Sequence, residues 1–262
     1  MNLFDATLDL ANFAKGTETY TITGADPDNN KIVCSDLSGR VAEFGGGTLW
    51  FLSGASGGQF VRIKSGAAQT LTILDKSENG YAVGDRITIG SWLEFDTQKL
   101  VNAINSVLRL YKIMKTNSDL LYDPKTRFYP LPDPEIRDVR KVTIETNPWG
   151  YRSVCHFWNV EDGFLDLYEH NPRLYREGSP ITLHYVGMHG EVTQEDTIDP
   201  QVDPLYLRFM SWLYLCRNLI QTVHKDNLVA TDMYNEAKIY ERDYGYLPSR
   251  NLQIKHITYP RW

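Results

Sequence analysis

The chain has 262 residues, 42% of them hydrophobic and 23% charged, enough for one large or two modest domains with buried cores, which excludes a disordered chain. A formal net charge of −6 excludes a protein that grips nucleic acid by neutralising phosphates, because that mode needs clustered Lys and Arg. Three cysteines, Cys34, Cys155 and Cys216, are far apart and odd in number, so they write neither a disulfide framework nor a paired-cysteine zinc site and are expected to be reduced and buried.

Residues 1–16 predict a short amphipathic helix, through Leu3, Phe4, Leu8 and Ala11, or a loose arm, ended by Gly16. No basic region precedes an uninterrupted apolar run, so no signal peptide is expected, and the most apolar stretch, 205–216, is too short to span a membrane. From 17 to 95 the texture changes to β-prone runs separated by Gly, Asn and Asp: TETYTI, KIVC, TLWFL, QFVRIK, QTLTIL and RITIGSWLEF. These predict a small antiparallel β-domain, barrel or sandwich, with residues 65–68 as the turn between two strands.

Asp96 or Thr97 is expected to cap an amphipathic helix over about 96–115, with Leu100, Ile104, Val107, Leu108 and Tyr111 on its buried face and Asn102 and Asn105 on its solvated side. Residues 117–134, rich in proline, predict an extended connector. Four strand-like runs follow, DVRKVTIET, RSVCHFWNV, FLDLYE and ITLHYVG, forming an antiparallel meander over about 138–187 with a tight turn at Asp162-Gly163. The meander is expected to pack against the opening helix and the helix at Leu100.

Asp203 and Pro204 read as the cap and first position of a long helix, 203–223. Leu205, Phe209, Trp212, Leu213, Cys216, Leu219, Ile220 and Val223 form its core face, and Arg208, Ser211, Asn218 and Gln221 a polar strip. Tyr206, Met210 and Tyr214 lie outside that face and are candidates for a subunit interface. A last helix over 231–244, capped by Thr231, and an extended tail over 246–262 complete the chain, with Leu252, Ile254, Ile257, Tyr259 and Trp262 suited to addition to a partner's sheet. The fold class expected is therefore α+β: an N-terminal β-domain (17–95), a helical domain with an inserted antiparallel meander (96–245), and an extended C-terminal tail.

The run SGASGGQFVRIKSGAAQTLTILD, followed by YAVGDRITIG, resembles a β-module of neck, tail and fibre proteins of tailed bacteriophages, over roughly 49–90. The order of features across 96–262 resembles the head-to-tail adaptor (connector) proteins of such phages. Those features are the amphipathic helix, Tyr129-Pro130-Leu131-Pro132, Val139 and Val142, a turn with Trp158, Val160, Asp162, Gly163 and Leu165, then Gly178, Ile181, Leu183 and Tyr185, and the long aromatic helix. The resemblance implies a structural virion protein of the neck that waits in the host cytoplasm before assembly. It implies a ring, commonly of twelve copies, contacting the portal protein and a tail, terminator or nozzle protein, with DNA crossing the channel without specific binding.

No catalytic group is expected: Ser53 and Ser56 lack the strand-to-helix setting of an activated nucleophile, and the chain reads as a non-enzyme without cofactor. His184, His189, Glu191 and Asp196 fall in one segment but lack the helical spacing of a metal pair, so no metal site is expected. The other function classes are a neck or tail protein binding receptor or carbohydrate, and a hydrolase dependent on His184 or His189.

Overall fold

The computed structural model describes residues 1–14, 17–37, 41–74, 77, 79–90, 96–146, 151–168, 175–222, 232, 234–239 and 242. The chain is mixed α and β with large antiparallel sheets. It divides into two compact units, one from the described residues of Met1–Leu110 and Gly190–Leu247, the other from those of Tyr111–His189. The boundary therefore falls after Leu110 rather than at the expected 95/96, and the helices expected to form a separate domain belong with the N-terminal sheet.

In the first unit, seven strands form one sheet: β1 (Thr17–Thr21), β2 (Gly24–Asp26), β3 (Lys31–Val33), β4 (Thr48–Phe51), β5 (Phe60–Ala67), β6 (Thr70–Ile73) and β7 (Arg86–Gly90). Their order is β1-β7-β4-β5-β6-β3-β2. Only Ile22 and Thr23 separate β1 from β2, yet these two strands occupy opposite ends of the sheet, so the sheet curls onto itself as a small barrel. Ile22 at that corner is fully buried, beside Ile32, Phe44, Leu49, Phe51, Ile63, Leu71, Ile87 and Ile89. β5 runs through the expected turn at 65–68. The reversal falls instead on Ala68 and Gln69, with Ala68 at φ 53°, because a register shift after Ile63 lets Ser65, Gly66 and Ala67 keep pairing with β6.

The same unit holds α1 (Leu3–Ala14), α2 (Thr97–Leu108) and α3 (Pro204–Thr222), and residues 234–239, within the expected last helix, are helical as well. Asn2 and Asp5 cap α1 reciprocally, Asn2 Oδ1 accepting from the Asp5 amide at 2.8 Å. Asp96 accepts from the Lys99 amide at 2.9 Å to start α2, and Asp203 accepts from the Leu205 and Tyr206 amides to start α3. β4 joins barrel and helices. Leu49 and Phe51 fill the barrel, whereas the alternate residues reach the helices: the Trp50 indole N–H donates to Thr7 Oγ1 of α1 at 3.0 Å, and Thr48 Oγ1 shares a hydrogen bond with Thr97 Oγ1 of α2. α3 packs on α1 through Phe13, whose ring meets Phe209 and Trp212 edge-on, and through a bidentate Arg208–Asp9 ion pair.

α2 ends at Leu108, seven residues before the expected end. The chain then enters β8 (Lys112–Leu121), which takes the expected end of that helix and the first five residues of the segment expected to be a connector. Asn117, Ser118 and Asp119 favour a turn, but pairing along β14 (Pro180–Met188) holds them in the sheet, and the turn tendency survives as a register shift opposite Thr182. The second unit is a sandwich of two sheets, β11-β10-β14-β8 and β12-β13-β9, rather than one meander. Its remaining strands are β9 (Phe128–Pro130), β10 (Asp138–Glu145), β11 (Arg152–Cys155), β12 (Trp158–Glu161) and β13 (Phe164–Leu167). The run expected as one strand, RSVCHFWNV, splits at His156-Phe157 between the two sheets. One core of Tyr122, Tyr129, Val142, Cys155, Leu165, Leu167, Ile181 and Leu183 lies between them. Asp162 and Gly163 form the expected β12–β13 turn with φ of 51° and 80°, the left-handed pair a tight hairpin requires.

The segment after the sandwich is fixed to α2 by Asn105. Its side chain accepts from the Val192 amide at 2.9 Å and donates to the Val192 carbonyl at 3.1 Å, so it is half-buried and structural instead of solvated. Asn105→Ala should cost about 1–2 kcal/mol in chemical denaturation, with Asn102→Ala close to neutral. Trp50→Ala removes a fully buried ring from the helix side of β4 and should cost about 3–5 kcal/mol, read as a fall in the denaturation midpoint at constant slope.

Candidate interaction surfaces

α3 begins with exposed Leu205 (44%), which sequence periodicity assigns to the core; it stands in the first turn, ahead of the packed residues Phe209, Trp212, Leu213 and Cys216. Tyr206, Leu207 and Leu215 are buried, so the second side of the helix is covered by its own chain. Of the interface candidates, Tyr206 is buried, Met210 is half-buried and Tyr214 reaches the surface. Hydrogen bonds from Ser106 and Asn218 hold the Tyr214 phenol below its usual pKa. Ser211, expected on the polar strip, is fully buried. The tail residues Leu252, Ile254, Ile257, Tyr259 and Trp262, the cap Thr231, and Val223 lie outside the described residues.

A second surface is built by the β12-β13-β9 sheet. Strand alternation turns Leu165 and Leu167 into the sandwich core and Phe164, Asp166 and Tyr168 away from it. The register then lays out three rows across the outer face. Phe157 adjoins Tyr168, whose amide donates to the Phe157 carbonyl. Asn159 faces Asp166, which faces Phe128, and Glu161 faces Phe164, which faces Pro130. Phe157, Tyr168, Phe128 and Phe164 are 66, 49, 56 and 44% exposed.

Arg127 lies across this grid. Its Nε and Nη2 donate to the two Asp166 oxygens at 2.6 and 3.0 Å, and its guanidinium carbon lies 5.1 Å from the Phe128 ring centre and 4.5 Å from that of Tyr168. The arrangement combines a bidentate fork with cation–π stacking, which arginine alone among cationic side chains supplies. Its hydrogen bond with Asp166 raises the Arg127 pKa further, and Tyr168's own hydrogen bond with Asp166, then burial and the carboxylate's charge, raise that of Tyr168.

The acids Glu191 and Asp196 are otherwise engaged. His184 stands in β14 between Lys141 and Thr116, and burial followed by the charges of Lys141 and Arg152 lowers its pKa. Glu191 forms an ion pair with Arg109. Asp196 accepts from the Thr193 amide and hydroxyl at 2.7 and 2.8 Å. Among the described residues no group of three or more His, Cys, Asp or Glu is placed to hold a metal ion. Ser53 Oγ accepts from the Arg86 amide, and buried Ser56 hydrogen-bonds Ser77 and the Gly80 carbonyl, so both close the loop before β5.

Comparison with known proteins leaves the assignment to physical argument: no protein-family model matches the chain, and no curated protein matches it as a relative. No described helix is long and apolar enough to cross a membrane.

The aromatic grid is a feature that sequence reasoning passed over, although FLDLY carried the signal: leucines at alternate positions oblige Phe164, Asp166 and Tyr168 to share the other face. Arg127 could not be found this way, since it joins them only through pairing of β9 with β13.

The three cysteines are buried and unpaired by disulfides. Burial, then the charge of Asp36, pushes the Cys34 thiol up to about 11; burial, then Glu236, pushes Cys216 up to about 12. Both stay protonated in the folded chain where unfolded thiols ionise, so the unfolded state binds fewer protons there and stability falls as pH rises from about 9. Alkylation by iodoacetamide at pH 8.5 should therefore be slow in the folded protein and fast in denaturant, read by mass spectrometry, and the midpoint of denaturation should drop between pH 8.5 and 10.5.

Proposed function

We propose that this chain is a structural virion protein of a tailed bacteriophage, a head-to-tail adaptor that assembles as a ring, commonly of twelve copies, below the portal. What carries this reading is the order of elements over 96–262: an amphipathic helix, inserted antiparallel strands with the D-G turn, and a long aromatic helix. In this reading α2 and α3 build a ring layer around exposed Tyr214, the inserted strands face a tail, terminator or nozzle protein, and the tail over 246–262 docks the portal. A net charge of −6 suits a channel that DNA crosses without being held. The mechanism is assembly: folded subunits add to a filled head and order their tails on the portal. It requires neither catalyst nor cofactor.

The aromatic outer face of β12-β13-β9 favours a second reading, a neck or tail protein that binds receptor or carbohydrate, since exposed ring clusters of this kind mark binding surfaces.

Electron microscopy of particles carrying an N-terminal label separates the two. Label in a ring at the head–tail junction is the expected result, and label at fibres or the tail tip would displace the adaptor reading. Removal of residues 246–262 should leave a soluble fold and abolish co-sedimentation with portal-bearing heads; unchanged co-sedimentation would remove the tail from the docking step.

A further inference from the structure

We propose that the outer face of β12-β13-β9 is a binding platform for a neutral polysaccharide. The inference deepens the receptor-binding reading and is independent of ring assembly; it places the sugar site on the β12-β13-β9 face.

The chemistry of the face selects the ligand. Each large exposed apolar side chain on it, Phe128, Phe157, Phe164 and Tyr168, is a flat ring. Aliphatic knobs such as Leu, Ile or Met, the usual partners of a protein pocket, are missing from that group of exposed side chains. Ring faces suit the flat, carbon-bound-hydrogen side of a pyranose, while its hydroxyls need fixed donors and acceptors beside the rings. Those are present. Asn159 lies beside the rings and Glu161 stands at the rim, while Asp166, only 8% exposed and hydrogen-bonded by Arg127 and Tyr168, holds the arginine in place. The guanidinium has five N–H groups; the Asp166 pair takes two and a side-chain hydrogen bond with Tyr168 engages another, while the Arg127 side chain remains 48% exposed.

Charge argues for a neutral ligand. Among the described residues of the grid the cation, Arg127, is closed in an ion pair with Asp166, and Glu161 stands beside it as an acid, so a polyanion gains nothing from these groups. Stacking fixes the Arg127 side chain before any ligand arrives, which removes part of the ordering cost of binding. Two rings and a guanidinium in sequence form a continuous platform rather than an enclosed pocket, the form suited to an internal stretch of a long chain.

The test uses the full-length protein in native gels cast with dextran, mannan or a soluble β-glucan. Retardation by at least one polysaccharide is expected, weakened tenfold or more by Phe128→Ala, Tyr168→Ala and Arg127→Lys, and unaffected by Leu205→Ala on α3. Phe164→Leu keeps apolar area while removing the ring, so it should lose binding with an unchanged thermal midpoint. Unretarded wild-type protein in all three gels, or retardation of Phe128→Ala and Tyr168→Ala equal to wild type, overturns the proposal. So does self-association in sedimentation velocity that Phe128→Ala abolishes while no polysaccharide retards the wild type, because the face would then belong to a second copy. None of these outcomes moves the particle label, so failure of the sugar site and failure of the adaptor reading are read separately.

Discussion

Burial of β4 on both faces is the constraint on which the first unit depends. Leu49 and Phe51 belong to the barrel interior, and Thr48 and Trp50 belong to the helix layer, so the four residues are all buried. A strand of an ordinary half-exposed sheet would show polar residues at alternate positions; TLWF shows none that is strongly polar. The indole N–H at the helix side needs an acceptor because an unpaired buried donor costs about 1–3 kcal/mol, and Thr7 supplies it. Thr7 in turn donates to the Phe4 carbonyl within α1. Barrel and helices are thereby coupled through one hydroxyl, and Gly90 leaves room for the Trp50 ring, which an added Cβ would approach to 3.0 Å.

The inserted sandwich follows a different logic. Its entry and exit lie side by side, with the His189 amide donating to the Tyr111 carbonyl at 3.0 Å. Chain that leaves a unit and returns at neighbouring points can grow without disturbing what it left, since loop closure costs rise only slowly with length. Asn105 then fixes the returning chain at Val192, and the Asn2–Thr197 bridge fixes it again before α3 starts. The sandwich is thus free to specialise its outer surface.

That surface follows from alternation. Packing requires Leu165 and Leu167 inside, which places Phe164, Asp166 and Tyr168 together outside with no further instruction. The arginine that organises them comes from the segment before β9, and its fork on Asp166 is a product of strand pairing.

Local signals determined much of this protein. The Asp96 and Asp203 caps, the Asp162-Gly163 turn, six of the seven barrel strands and the reduced, buried cysteines were legible because each rests on a few neighbouring residues. What the sequence could not decide is where long-range pairing overrides local preference. Residues 117–119 look like a turn, yet β14 draws them into a ten-residue strand, and His156-Phe157 looks like the middle of one strand, yet two sheets compete for its ends. The clamp of Asn105 on Val192 and the meeting of Arg127 with Asp166 join residues 87 and 39 positions apart. Such pairs have no local signature, because the energy that fixes them appears only once the tertiary fold has brought them together.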